Sequence, residues 1–201
     1  MGIVQHAPLI LASGSTIRQQ MLKAVGLHFS VVPSGLDETA LKAQHAEATP
    51  PELARILARA KALSVSRHDP EAFTIGADQL CVHRGQYVSK PGSHDRAEAQ
   101  LALLSGELHA QHAAVVLTRG DTVLWEYADV AQLTLRTLSP ADIHAYVAAD
   151  SPLSSCGSYL FEKLGRHLFA KVQGDHDVIQ GLPLVPLLGE LHRLGVIGLS
   201  D

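Results

Sequence analysis

The sequence predicts an α/β fold with a mixed sheet flanked by helices. Three observations carry this. Short apolar runs alternate with amphipathic helical stretches. Two pairs of adjacent strands are joined by Gly-containing turns, which an all-parallel sheet would not contain. The composition, 46% hydrophobic and 18% charged over 201 residues, suits one α/β domain or two intimate lobes with a real core.

The elements follow in order. Leu9 to Ala12 form an apolar strand that runs into Ser13-Gly14-Ser15 and then a helix with Ile17, Met21, Leu22 and Val25 on one side. Such a corner, with free N–H groups at the helix start, either receives an anion or is a plain Ser N-cap. Phe29 to Pro33 reads as a strand ending at Ser34-Gly35-Leu36-Asp37-Glu38. Pro50-Pro51 opens a helix whose apolar stripe is Leu53, Ile56, Leu57, Ala60 and Leu63. Phe73 to Ala77 is a short buried strand, and Leu80–Val82 with Gln86–Ser89 flank a hairpin turn. A helix follows from His94 to Leu104, closed by Ser105-Gly106. His112–Thr118 and Thr122–Leu135 are strands around Arg119-Gly120-Asp121. Ser139-Pro140 starts another helix, Ser151 to Gly165 is irregular, Leu168–Val172 is a strand, and Leu184–Leu194 is the last helix.

Several function classes are disfavoured. A formal net charge of −4 argues against a stable nucleic-acid partner, which wants a basic face. No apolar run approaches the ~20 residues that span a bilayer. Neither a signal peptide nor CxxC spacing is read, so Cys81 and Cys156 are expected as free thiols in a reducing cytoplasm. Twelve histidines are scattered, and only His109 and His112 lie close, without zinc-ligand spacing. A dinucleotide oxidoreductase would need a GxGxxG run after the first strand, which Gly14 does not begin.

Candidate chemistry gathers at element edges. Asp78 follows the run Phe73-Thr-Ile-Gly-Ala, where a carboxylate is placed as a general base, a metal ligand or a turn cap. Asp37-Glu38 follows another strand in the same way. Together these three carboxylates could hold Mg²⁺, a hard ion that prefers oxygen. Lys61 rides at the edge of the inward stripe, Lys90 ends the hairpin ahead of Pro91, and Arg18 lies in the first helix. Three cations with three carboxylates suit a metal–polyphosphate ligand. Glu162 and Lys163 lie beside Tyr159 and Phe161, either a base-contacting group or a surface loop with a tucked aromatic.

Taken together these segments resemble the Maf family of nucleoside triphosphate pyrophosphatases. The resemblance rests on Leu9-Ile-Leu-Ala-Ser-Gly-Ser15, Pro33-Ser-Gly-Leu-Asp-Glu38, Leu57-Ala-Arg-Ala-Lys-Ala62 and Ile75-Gly-Ala-Asp-Gln79. It continues through Lys90-Pro91, Leu104-Ser-Gly106, Gly157-Ser-Tyr159, Gly174-Asp175 and Gly181-Leu-Pro-Leu184, in the same order. It implies a Maf/ITPase-like fold spanning 1–201 as one domain, with an elongated mixed sheet, two lobes around a central cleft, and often a homodimer. It implies hydrolysis of a nucleotide between its α- and β-phosphates with a divalent metal, Mg or Mn. By the same resemblance Asp78 is the proton acceptor, Ser13, Arg18, Lys61 and Lys90 hold phosphates, and Glu38 with Asp78 holds the metal. Ile17, Gln79 and Glu162 are then the specificity positions. Asp78-Gln79 with Glu162 look like the branch acting on 7-methyl-GTP rather than the dTTP/UTP branch, since a carboxylate accepts guanine N–H donors and favours a cationic N7-methylated base. Two departures stand out. Ser15-Thr-Ile-Arg18 replaces Ser-Pro-Arg-Arg, and Gly174-Asp-His-Asp-Val-Ile179 replaces Gly-Asp-Tyr-x-Asn-Val. Ile17 and Val178 therefore also admit a non-catalytic nucleotide sensor or cell-division regulator.

Overall fold

The computed structural model describes residues 2–200. Its main sheet is mixed, as expected. Strand β2 (Leu9–Leu11) pairs in parallel with β3 (Ser30–Val31) and with β4 (Phe73–His83). The hairpin strand β5 (Gln86–Val88) is antiparallel to β4. Strands β6 (Leu108–Arg119), β7 (Thr122–Leu135) and β8 (Phe169–Gln173) complete the order β3-β2-β4-β6-β7-β8, with β8 antiparallel to β7. A separate two-stranded sheet joins β1 (Gly2–Gln5) to β9 (Ile197–Ser200).

The chain divides into two compact units. The first comprises residues up to Asp78, Ala113–Asp129 and the chain from Gly181 onward; the second comprises Gln79–His112 and Val130–Gln180. Strands β4, β6 and β7 each contribute residues to both.

The first unit carries helices α1 (Thr16–Ala24), α2 (Glu38–Gln44), α3 (Pro50–Ser66) and α7 (Leu184–Arg193). Its core packs Leu9 and Leu11 of β2 with Met21 and Leu22 of α1, Ile75 of β4, and Leu187 and Leu191 of α7. Helix α3 starts where Pro50 pre-sets the first turn and Glu52 reaches back to accept the Thr49 N–H at 2.9 Å. Helix α2 was not expected. It buries no residue, so it has no apolar stripe to read, and it stands on its cap: Asp37 Oδ1 accepts the N–H groups of Thr39 and Ala40, each at 3.0 Å.

The second unit carries α4 (His94–Leu104), α5 (Pro140–Asp150), a 3₁₀ turn at Leu164–Leu168, and the short α6 (His176–Ile179). Ser139 and Asp142 cap α5 reciprocally, each accepting the other's N–H at 3.1 Å. Among the described residues no helix is long and apolar enough to cross a membrane.

Two expectations are corrected. Residues Phe73–Ala77 and Leu80–Val82 are one continuous strand, so Asp78 sits within β4 rather than where a strand emerges. Polar residues persist there because both are partnered, Asp78 by Lys61 and Gln79 by two backbone carbonyls. The buried face of α3 is Leu53, Ala54, Leu57, Ala58, Lys61, Ala62, Val65 and Ser66, leaving Ile56, Ala60 and Leu63 of the expected stripe only half-buried. Lys61 thus lies within the buried face, not at its edge.

Candidate active site

Lys61 lies within the buried face because α3 packs closely on Gly76. A Cβ at this position would overlap the Ala58 carbonyl oxygen and lie 2.8 Å from both Ala62 Cβ and Ala62 N. Only glycine on the strand and alanines on the helix let the backbones of β4 and α3 come this close. Lys61 precedes Ala62 by one residue, and Asp78 follows Gly76 by two, on the same face of the strand. Close approach therefore brings ammonium to carboxylate: Lys61 Nζ lies 2.5 Å from Asp78 Oδ1. Glu38, the first residue of α2, meets the same ammonium from outside, with Oε1 at 2.7 Å. The side chains of Lys61 and Asp78 are 10% and 7% exposed, while that of Glu38 is 42% exposed. Asp78 is the inner member and Glu38 the outer one.

Asp78 keeps one oxygen in reserve. Its Oδ2 is buried and has no hydrogen-bond partner among the described residues. A bare buried carboxylate oxygen is costly unless something bonds to it. Asp37, by contrast, spends Oδ1 on its helix cap, so only two of the three expected carboxylates converge.

Ser13 and Arg18 form the adjoining corner. Arg18 is 8% exposed and donates from Nε to the Gly181 carbonyl at 2.8 Å. Its Nη1 donates to the Ala77 carbonyl at 3.0 Å and to Ser13 Oγ at 3.1 Å. One guanidinium thus ties the loop after β2, the residue before Asp78 and the turn before α7 together. Ser15 occupies the N-cap position of α1 without a side-chain cap bond. The local capping bond in this loop comes from Ser13 instead: its Oγ accepts the Ser15 N–H at 3.3 Å as well as the Arg18 guanidinium. Ile17 packs half-buried on the core.

The remaining candidates belong to the second unit. Gln79 donates its amide to the carbonyls of Ile179 at 2.7 Å and Val178 at 3.2 Å. Its donor end is thereby committed, and its carbonyl oxygen is the end that can meet a ligand N–H. Lys90 and Glu162 are exposed. Tyr159 and Phe161 are not available to stack on a base. They are 2% and 5% exposed and pack around Phe169, with ring centroids 4.9 and 5.7 Å away. Tyr159 OH is also engaged by His109 Nε2 and Gln111 Nε2, both at 2.8 Å. An aromatic buried in this way is the tucked-in alternative for that loop.

Among the described residues no group of three or more His, Cys, Asp or Glu is arranged to hold a metal ion, and neither Cys81 nor Cys156 is in a disulfide. The two converging carboxylates do suit a hard divalent cation of the kind that binds through one or two carboxylates and completes its shell with water and substrate phosphates. The orphaned Asp78 Oδ2 is the observation that favours such a fit. Reading residues one at a time missed Gly76 and the Gly181 carbonyl. The signal for the first was a glycine inside an apolar strand facing an alanine-spaced helix; the second is backbone and leaves no signal in a side chain.

The model of the Maf-like protein family matches residues 8–194. A nucleoside triphosphate pyrophosphatase of Legionella pneumophila (strain Philadelphia 1) is 45% identical over 196 residues, covering 98% of each chain. Proteins of the same name from Nitrobacter hamburgensis and Rhodopseudomonas palustris (strain BisB18) are 43% identical over 194 residues and 41% over 188. They cover 96% and 92% of this chain, and 96% and 93% of their own. Matches of this extent, across the segments that build the Lys61–Asp78 corner, show that this chain belongs to the Maf-like protein family.

Proposed function

We propose that the protein is a nucleoside triphosphate pyrophosphatase that cleaves between the α- and β-phosphates. The observation that carries this reading is the buried Lys61–Asp78 pair, met from outside by the partly exposed Glu38, with one Asp78 oxygen left bare. The activity for which the similar proteins are named agrees with it.

In this reading Asp78 accepts a proton from the attacking water. The water oxygen bonds to the α-phosphorus, the bond from that phosphorus to the bridging oxygen breaks, and pyrophosphate leaves with the electron pair. Asp78 later returns its proton to solvent. Lys61, Lys90, Ser13 and Arg18 offset the phosphate charge, Arg18 from a fixed position beneath the Ser13 loop. Glu38 and Asp78 would hold a divalent cation, Mg²⁺ or Mn²⁺, which when bound offsets phosphate charge and polarises phosphoryl oxygens. The base is read by acceptors: the Gln79 carbonyl oxygen and the Glu162 carboxylate fit the N–H donors of a guanine edge. A cationic N7-methylated guanine, as in 7-methyl-GTP, suits Glu162 better than thymine or uracil does. Cys81 and Cys156, neither of them in a disulfide, agree with a cytoplasmic setting.

Pyrophosphate release from 7-methyl-GTP, GTP, dTTP and UTP with Mg²⁺ or Mn²⁺ tests the reading. The expected order places 7-methyl-GTP first, and Asp78→Asn should lower turnover about 10²–10⁴-fold. No release from any nucleotide, alongside tight binding of an α,β-methylene triphosphate, would establish a sensor instead. Undiminished turnover in Asp78→Asn would remove Asp78 from its role.

A further inference from the structure

We propose that Lys61 is a resident counter-cation: it occupies the shared position between Glu38 and Asp78 and keeps a metal ion out until a nucleotide draws its ammonium away. The nucleotide half of this proposal rests on the function proposed above; the metal half stands on the geometry alone.

Lys61 Nζ lies 2.5 Å from Asp78 Oδ1 and 2.7 Å from Glu38 Oε1. A cation bridging these two carboxylates would have to sit where the ammonium already is. With Lys42 Nζ 3.8 Å from Glu38 Oε2, two carboxylates face two ammoniums, and the set offers little net negative charge. That is a poor inducement for a divalent ion that sheds water reluctantly, and a positive neighbour a few ångströms away repels it. The second, independent sign of a missing ligand is Asp78 Oδ2, buried and unbonded. Lys61 satisfies half of this carboxylate and leaves the other half unmet. A purely structural ion pair in a buried position would be expected to satisfy both oxygens.

A triphosphate changes the balance. It offers Lys61 a stronger anion, and the four-carbon stem lets the ammonium swing to it while α3 stays packed on Gly76. Asp78 Oδ1 and Glu38 Oε1 are then vacated together. Cation and nucleotide should consequently bind with positive coupling, each raising the affinity of the other by the same factor.

The test measures binding of Mn²⁺ alone, by the resonance signal of the free ion, to the wild type, Lys61→Met and Lys61→Gln. The Gln variant keeps a hydrogen-bond donor between the carboxylates in case the Met variant folds poorly. At least one of the two is expected to bind bare Mn²⁺ tenfold or more tighter than the wild type. Adding Asp78→Asn to that variant should abolish the gain. Mn²⁺ should also raise the thermal midpoint of the Lys61 variants and leave that of the wild type nearly unmoved. Equal Mn²⁺ affinity in wild type and variants would overturn the proposal, as would a gain that survives Asp78→Asn. With an α,β-methylene triphosphate present, wild-type Mn²⁺ affinity should rise at least tenfold beyond what the ion's own complex with the nucleotide explains. If no nucleotide binds, the function proposed above fails, while the bare-metal comparison still decides the role of Lys61.

Discussion

The two units bury polarity in opposite ways. In the first, Arg18, Lys61 and Asp78 are buried as formal charges held by ionic and carbonyl partners. In the second, the groups around Tyr159 are buried neutral. Desolvation pushes the Tyr159 hydroxyl and the Cys81 thiol well above their ordinary ranges, with neighbouring thiols adding to both. It pushes His109 down to about 4, aided by His83. Burial penalises charge in both places. Neutral groups resolve the penalty by holding or refusing a proton, and a network of Tyr, His and Gln then serves as hydrogen-bonded core. Charged groups resolve it only by pairing, a weak route to stability. Charge retained at such a place points to chemistry rather than to packing.

The sharpest way to break this contrast is to remove charge from the first unit. Lys61→Met leaves Asp78 buried without its partner and should cost about 3–5 kcal/mol in the absence of metal. The double variant Lys61→Met/Asp78→Leu should regain most of that in urea denaturation while remaining inactive. A double variant as unstable as the single one would show that the pair serves stability after all.

The neutral network gives the next effect. His109 has a folded pKa of about 4 against roughly 6.5 unfolded, so the unfolded chain binds the extra proton. Its stability contribution is complete above about pH 6.5 and declines as pH falls toward 4, by up to about 3 kcal/mol. Denaturation midpoints should track that window in the wild type and flatten across it in His109→Gln. A profile unchanged by the substitution would place the acid sensitivity elsewhere.

The smallest effect tests the joint between helix and strand. Gly76→Ala drives a methyl against the Ala58 carbonyl and should cost about 1–3 kcal/mol through overpacking. Turnover should fall as well, because the same shift parts Lys61 from Asp78. An unaltered melting midpoint would mean that α3 can give way without loss.

Much of the frame was legible because its signals are local. Thr49-Pro50 and Ser139-Pro140 announce helices in the residues themselves, and the Leu and Ile runs of β2 and β4 announce buried strands. What escaped was long-range or unpatterned. Strands β1 and β9 pair residues from opposite ends of the chain, and α2 rests on a cap rather than on a buried stripe. The family resemblance named a set of candidate residues, and the spacing placed Lys61 at the edge of the inward stripe rather than within it. Its bond to Asp78 was not legible, because that contact depends on how closely one backbone lies on another. Tyr159 misled for a related reason: an aromatic in a Gly/Ser-rich loop looks available until its hydroxyl finds His109 and Gln111 in the core.

The passage of the chain between its units bears on how the protein is made. Asp78 is the residue at which the chain first leaves the first unit, and Gly181, whose carbonyl receives Arg18, begins its last return, after the intervening Ala113–Asp129. Leu182, Leu184, Leu187 and Leu191, which complete the core around β2 and α1, lie beyond that point. During synthesis from the N-terminus, Ser13, Arg18, Lys61 and Asp78 therefore emerge long before the Gly181 carbonyl that receives Arg18. A nascent or truncated chain ending before Gly181 would contain every one of those side chains, yet lack both an acceptor for Arg18 and the leucines that close the core. Interrupted synthesis thus yields an unfinished core rather than a partly working enzyme.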